Sequence, residues 1–476
     1  MPEALASMSN EVSDERGKIP ELMKIGQIPA DLSQDVDTEV LDPVVNNDNF
    51  CRFVLTNKGF LHSFSKITLG VQSTGDDNFS TFPIGVGIHS LIQRCALRIG
   101  TTIVAEIDDF NHWMSYKSMF IDNDVNYERE TYLTSRIMAT ELNYKNASDQ
   151  LSLVNASGLI IKSHSEPIID KDDAAADSTT NPILPLRLAN EPVFSVSVAD
   201  LFPFLRFNQL PLYMIDQQIS IELHFQPASS FKRCIHHSSE DAQGQLFLID
   251  TTQTKFVADY IYYDGELMEQ YKNQNRVMNW TYADYRLNKR SFTQAQLQDN
   301  VVMEVGGAGR LCNKIITSTT QTLTAPDSSL LNEYFANGPA QLANKNNTLF
   351  TTNLVYNDNR LYPIDRTNSA IHFHDLVQTE QNIPHISRQM WAKEGDSLRD
   401  DMLYMDYSIS DSTEGLNGKF FFIGYRLNRN ERVNSRGIQL EFKFGSQLTG
   451  NFIHRAWLEL VKTATLSDGK FSTEFA

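Results

Sequence analysis

The phrase ISIELHF at residues 219–225 returns as IQLEFKF at 438–444, 219 residues later. Each copy puts Ile, then Ile or Leu, then Leu or Phe, then Phe on one side, with Ser, Glu, His, Gln or Lys on the other. Successive side chains of a strand point to opposite faces, so each phrase predicts a strand with one face on a core and the other toward water. Two copies at that separation predict a domain type that is built twice.

Neighbouring segments carry the same signal. Short runs rich in Val, Ile, Thr, Phe and Tyr begin at Phe50 with CRFVLTNKGFLHSFSKITLGV and continue in LIQRCALRIGTTIVAEI. Others are EPVFSVSV, FVADYIYYD, FFFIGYRL and HRAWLELVKTATL. Such runs predict an all-β chain. RFVLTNKGFL (52–61) has a partner in DYRLNKRSF (284–292), and LIQRCALRI (91–99) is answered by LCNKII (311–316) about 220 residues on, so several features are expected to keep one offset. One helix is predicted at DDFNHWMSYKSMF, with Asp108 and Asp109 at its start and Phe110, Trp113 and Met114 on one face. A second is predicted at 327–338, capped by Asp327 and stopped by Gly338. Polar excursions are expected at 143–190 and 318–350. Short strands and long loops in units of about 200 residues suggest sandwiches of jelly-roll type. The expected division is an extended N-terminal arm at 1–45, a first sandwich at 46–265 and a second at 266–476.

Charge excludes some functions. The chain of 476 residues carries a formal net charge of −18, and residues 1–50 hold eleven Asp and Glu against three Lys and Arg. Such a surface repels phosphate backbones, which argues against wrapping nucleic acid. Cys51, Cys95, Cys234 and Cys312 form no CxxC pair and read as free buried thiols. The beginning MPEALASMSNEV has neither a basic start nor an apolar run, so no secretory signal is expected, and the five Asn-x-Ser/Thr sequons read as chance.

Several stretches resemble the double jelly-roll major capsid proteins of icosahedral double-stranded DNA viruses, those of polinton-like viruses and virophages above all. They are IPADLSQDVDTEVLDPV, CRFVLTNKGFLHSFSKITLGV, LIQRCALRIGTTIVAEIDDFNHWMSYKSMF, LFPFLRFNQLPLYMIDQQISIELHF and GLNGKFFFIGYRLNRNERVNSRGIQLEF. The likeness runs over about 31–465. It implies two tandem eight-stranded jelly-roll β-sandwiches with short helices and long loops, and a structural protein rather than an enzyme. It further implies a homotrimeric, pseudo-hexameric capsomer tiling an icosahedral virion shell, in contact with neighbouring capsomers and with minor capsid and penton proteins. The arm is then expected along the inner shell, against neighbours or an internal membrane. The competing readings are a jelly-roll carbohydrate-binding protein, a glycoside hydrolase and a minor capsid protein.

Chemical candidates are few, and no catalytic, cofactor-binding or metal site is assigned. His372 and His374 in AIHFHDL would lie about 7 Å apart on one face of a strand. A zinc site needs a third ligand, for which Asp375 and His385 are the near candidates, and an interface pair is the preferred reading. His236 and His237 read as loop residues. GGAGR (306–310) lacks the GK[ST] of a phosphate loop and runs into a strand, so a bend is expected. The acidic DKDDAAADS lacks the spacing of a calcium loop. Arg426, Arg429, Arg432 and Arg436 form one basic cluster, expected to pair with acidic groups across a subunit contact.

Overall fold

In a computed structural model, residues 35–73, 80–81, 86–118, 133–134, 193–206, 210–227, 235–236, 247–293, 296, 300–322, 334, 351–366, 369–380, 422–427, 431–443 and 451–476 are described. Strands of the first half are β1 (Asp35–Leu41), β2 (Val45–Asn47), β3 (Phe50–Leu55), β4 (Phe60–Leu61), β5 (Lys66–Ser73) and β6 (Ser80–Thr81). They continue as β7 (Ile92–Ile99), β8 (Thr102–Asp108), β9 (Val193–Ser197), β10 (Leu210–Pro211), β11 (Ile219–Phe225), β12 (Ile235–His236) and β13 (Phe247–Tyr262). The second half holds β14 (Val277–Phe292), β15 (Asn300–Gly306), β16 (Cys312–Thr322), β17 (Thr351–Tyr356) and β18 (Asn359–Arg360). It ends with β19 (Phe422–Arg426), β20 (Ile438–Lys443), β21 (Asn451–Ser467) and β22 (Lys470–Phe475). Helix α1 (Phe110–Ser118) follows β8, α2 (Gly265–Gln274) stands between β13 and β14, and α3 (Ser369–Thr379) precedes β19. No helix among the described residues is long and apolar enough to cross a membrane.

Each half is a jelly roll. In the first, one sheet runs β1-β13-β5-β9, with β4 beside β13 and β10 on the far side of β4, and the other runs β3-β11-β7-β8, with β2 at its edge. In the second, β14-β21-β16-β19 and β15-β20-β17-β18 repeat that order strand for strand, with β22 added on β21. Thus β1, β3, β5, β7, β8, α1, β9, β11 and β13 correspond to β14, β15, β16, β17, β18, α3, β19, β20 and β21.

The cores follow from alternation. Ile219, Ile221, Leu223 and Phe225 of β11 are buried, as are Ile438, Leu440 and Phe442 of β20, and each set lies mid-sheet under the opposing layer. Burying one such side chain stabilises by about 1.5–3 kcal/mol. On β15, Val301, Met303 and Val305 point inward while Val302 and Glu304 point out. The last residue of IQLEFKF, Phe444, lies outside the described residues.

Three expectations are corrected. The single offset holds for β11 and β20 but not for other pairs: β3 matches β15, not the DYRLNKRSF of β14, and β7 matches β17, not the LCNKII of β16. Connections between equivalent strands differ in length, so the offset drifts along the chain. Among the described residues, strands begin at Asp35, not Phe50. Val36 and Val40 are exposed on β1, so burial gave the alternation no core to mark; the strand is held by its seven-residue register on β13. The second excursion begins later, since Ser318–Thr322 completes β16. The helix predicted at 327–338 lies outside the described residues apart from Tyr334.

A candidate assembly element: the seam between the sandwiches

No strand pairing joins the two halves among the described residues, yet a dense polar and aromatic seam does. It begins where β8 ends and α1 starts. Asp109 adopts a left-handed φ of 48°, which Asp tolerates, and its carbonyl accepts from Trp113 N at 3.0 Å to open the helix. Phe110, Trp113 and Met114 are buried as expected, but so are Asn111, His112, Ser115 and Tyr116. The helix is enclosed rather than amphipathic because the second sandwich covers its other side.

Across the seam the contacts are specific. Trp113 packs on Tyr285 and Trp457 with ring centroids 4.4 and 5.9 Å apart. Arg455 Nε donates to Asp109 Oδ2 at 2.9 Å and its Nη1 to Thr320 Oγ1 at 2.6 Å, while Lys289 Nζ donates to Asp109 Oδ1 at 3.0 Å. Arg286 Nη1 donates to Glu106 Oε1 at 3.1 Å, and Arg94 holds the other oxygen. Tyr282 Oη donates to the Val104 carbonyl at 2.6 Å, and Trp457 Nε1 to that of Asp108 at 3.3 Å. Backbone joins in where Asp216 N donates to Gly469 O at 2.9 Å.

One buried cluster brings charged groups of both signs together. Lys314 lies between Glu380 and Glu459, and Tyr116 of α1 donates to Glu380. Burial opposes the charge on Glu380, but Lys314 and Lys117 hold its carboxyl below the usual range. Burial likewise opposes the charge on Lys314, and Glu459 and Glu380 outweigh it. A carboxyl lowered on folding stabilises fully above its unfolded pKa and loses that contribution as pH falls through the folded value. The expected result is an acid-side fall in Tm; Glu380→Gln should lower Tm at neutral pH and make the acid branch shallower. An unchanged acid branch would remove Glu380 from the account.

The sequence candidates fall elsewhere. AIHFHDL is part of α3, not a strand, which places His372 and His374 on different sides. His372 is buried, with burial first and Arg366 second pushing it down to about 3, whereas the His374 side chain is 66% exposed. A helix forms because this segment is the counterpart of α1. Asp375 pairs with Arg366 at 3.0 Å. His385, His237, DKDDAAADS and Arg429 lie outside the described residues, and among those described no group of three or more His, Cys, Asp or Glu is placed to hold a metal. Cys51, Cys95 and Cys312 are free and buried. GGAGR forms the expected bend: the ladder slips between Glu304 and Gly306, and Gly306, Gly307 and Gly309 all take positive φ. Within the arginine cluster, Arg436 pairs with Asp358 of its own chain at 2.8 Å. A cavity of about 280 Å³ opens outside β15-β20-β17, but its Arg360 is already shared by Asp365 and Glu441. Its one aromatic lining residue, Phe442, is buried in the core and offers a sugar no stacking face.

Sequence reasoning missed the seam charges. Their signal is a charged residue in inward register of a strand, as with Asp284 in TYADYRL and Lys462 in LELVKTATL.

No protein-family model matches the sequence, and no curated protein matches it in sequence. In structure, the chain is similar to a chain from the Sputnik virophage, with a TM-score of 0.55 at 10% identity over 93% of this chain and 88% of that one. It is also similar to VP54 of PBCV-1, as fitted into a reconstruction of the virophage Sputnik (TM-score 0.54, 9% identity, 94% and 97% covered). For the Faustovirus major capsid protein the values are 0.51, 10%, and 94% of each chain. The fold is the double jelly roll.

Proposed function

We propose that this chain is a major capsid protein, a structural subunit whose product is geometry rather than catalysis. The observation that carries the reading is the seam: two jelly rolls of one topology, fastened side by side by buried charges and stacked rings. Three such chains closed around an axis would offer six comparable flanks, enough to tile a hexagonal lattice from one gene product. The similar solved structures, described as a virus capsid, a virophage and a major capsid protein, support it across almost the whole chain.

In this reading the chain consists of a lead, a first sandwich to residue 265 and a second from 266. The lead ends near residue 34 rather than 45, because β1 belongs to the first sheet. Trimers assemble with neighbouring capsomers and with minor capsid and penton proteins in a virion shell, and the lead meets neighbours or an internal membrane. Light scattering of the purified protein tests the trimer; a monomer at working concentrations, or saccharide binding at the cavity beside Arg360, would favour the carbohydrate-binding alternative.

Deleting residues 1–34 is expected to leave Tm unchanged while impairing shell formation. Deleting 1–41 removes β1 as well, bares the β13 edge from Phe256 to Tyr262 and should lower Tm. Equal Tm for the two deletions would show that β1 adds nothing.

A further inference from the structure

The seam holds a second buried acid–base pair, and its electrostatics run opposite to those of the Lys314 cluster. Lys462 on β21 stands opposite Tyr282 of β14, which places Asp284 diagonally beside it on the same face. Both side chains are enclosed, at 3% and 1% exposure. Lys462 Nζ donates to the carbonyls of Ile103 and Val104, each at 2.9 Å, and at the longer distance of 3.3 Å to Asp284 Oδ2. A charge-assisted N–H···O contact is normally about 2.7–2.9 Å. When the pair is neutral, two amine hydrogens stay on the two carbonyls and the nitrogen lone pair takes the third tetrahedral position, toward the carboxyl. Burial supports the same state from both ends, raising the Asp284 carboxyl against Lys462 and Arg286, and lowering Lys462 despite Asp284.

Groups that serve acyl transfer surround the carboxyl. Glu106 N–H points at Asp284 Oδ1 at 3.4 Å, and Arg286 Nη2 lies 3.4 Å from Oδ2 while its Nη1 holds Glu106. The Phe475 ring stands 5.2 Å from Nζ.

We infer that Lys462 and Asp284 are partners in an intramolecular isopeptide bond, which the chain forms by itself between β21 and β14. The Nζ lone pair attacks Cγ of the carboxylic acid and the C–N bond forms. Charge developing on Oδ1 meets the Glu106 N–H. One amine hydrogen passes to Oδ2, the Cγ–Oδ2 bond breaks, and Oδ2 leaves as water beside Arg286. Amine plus acid gives amide plus water, so no oxidant, metal or cofactor is needed. The remaining amide N–H keeps one of the two β8 carbonyls. Holding both groups in a dry site supplies the drive, since well-oriented intramolecular reactions reach effective molarities of about 10⁵–10⁸ M. Joining residues 284 and 462 would close almost the whole second sandwich into a covalent loop at the strands that meet the first. The inference stands on these contacts alone and is independent of the capsid reading.

Intact-mass spectrometry of the purified full chain under denaturing conditions tests it without any variant. The expected mass is one water below that of the sequence, and digestion should yield one branched peptide carrying Asp284 and Lys462. Lys462→Arg and Asp284→Ala should restore the uncondensed mass, while Asp284→Asn should form the bond with loss of ammonia. A wild-type chain that keeps the full sequence mass after prolonged incubation overturns the inference.

Discussion

Phe225→Asp is expected to abolish folding of the first sandwich. Phe225 ends the buried row of β11 and is 3% exposed, and its backbone N–H is tied to Asn49 O at 2.9 Å, so the side chain cannot swing outward without tearing the strand from its neighbours. Truncating a buried Phe to Ala alone costs about 3–5 kcal/mol. A carboxylate in its place adds the cost of an unpaired buried charge, together a large part of the 5–15 kcal/mol that holds a typical domain together. Phe225→Leu, which keeps an apolar contact, should stay folded. Calorimetry reads the difference, and a wild-type Tm for the Asp variant would mean that the alternation in ISIELHF has been assigned to the wrong face.

Arg455→Ala is expected to uncouple the two sandwiches. Its guanidinium is 1% exposed and joins Asp109 of the first half to Thr320 of the second. Without it, Asp109 keeps Lys289 but loses its buried partner, and removing one member of a buried pair typically costs about 3–5 kcal/mol. Because the loss falls on the seam and not on either core, unfolding should split into two transitions, with faster proteolysis in the α2 connection. Asp109→Ala with Arg455→Ala should cost less than the sum of the single changes, since each already removes the shared contact. A single unshifted transition for Arg455→Ala would show that the halves are held together elsewhere.

The strand content, the duplication and the jelly-roll class were legible in the sequence because alternation records which face is buried, and β11 and β20 display it cleanly. Alternation fails where a strand is covered on both sides. The HRAWL run of β21 is buried from His454 to Leu458, so it reads as apolar and charged at once, and its partners Asp109 and Thr320 are distant in the chain. The helix α3 was misread for a related reason. Val377 and His374 are exposed while His372 and Leu376 are buried, but AIHFHDL alone is too short to tell a period of two from one of 3.6. Register across loops of unequal length was beyond a fixed offset, which is why only one of the proposed strand pairs survived.

Electron microscopy of the purified protein puts the whole proposal at risk in one measurement. Particles built from three chains, each contributing two upright sandwiches to a six-sided outline, are the predicted result. Isolated single chains, or a ring in which the paired sandwiches swing freely about α2, would contradict it.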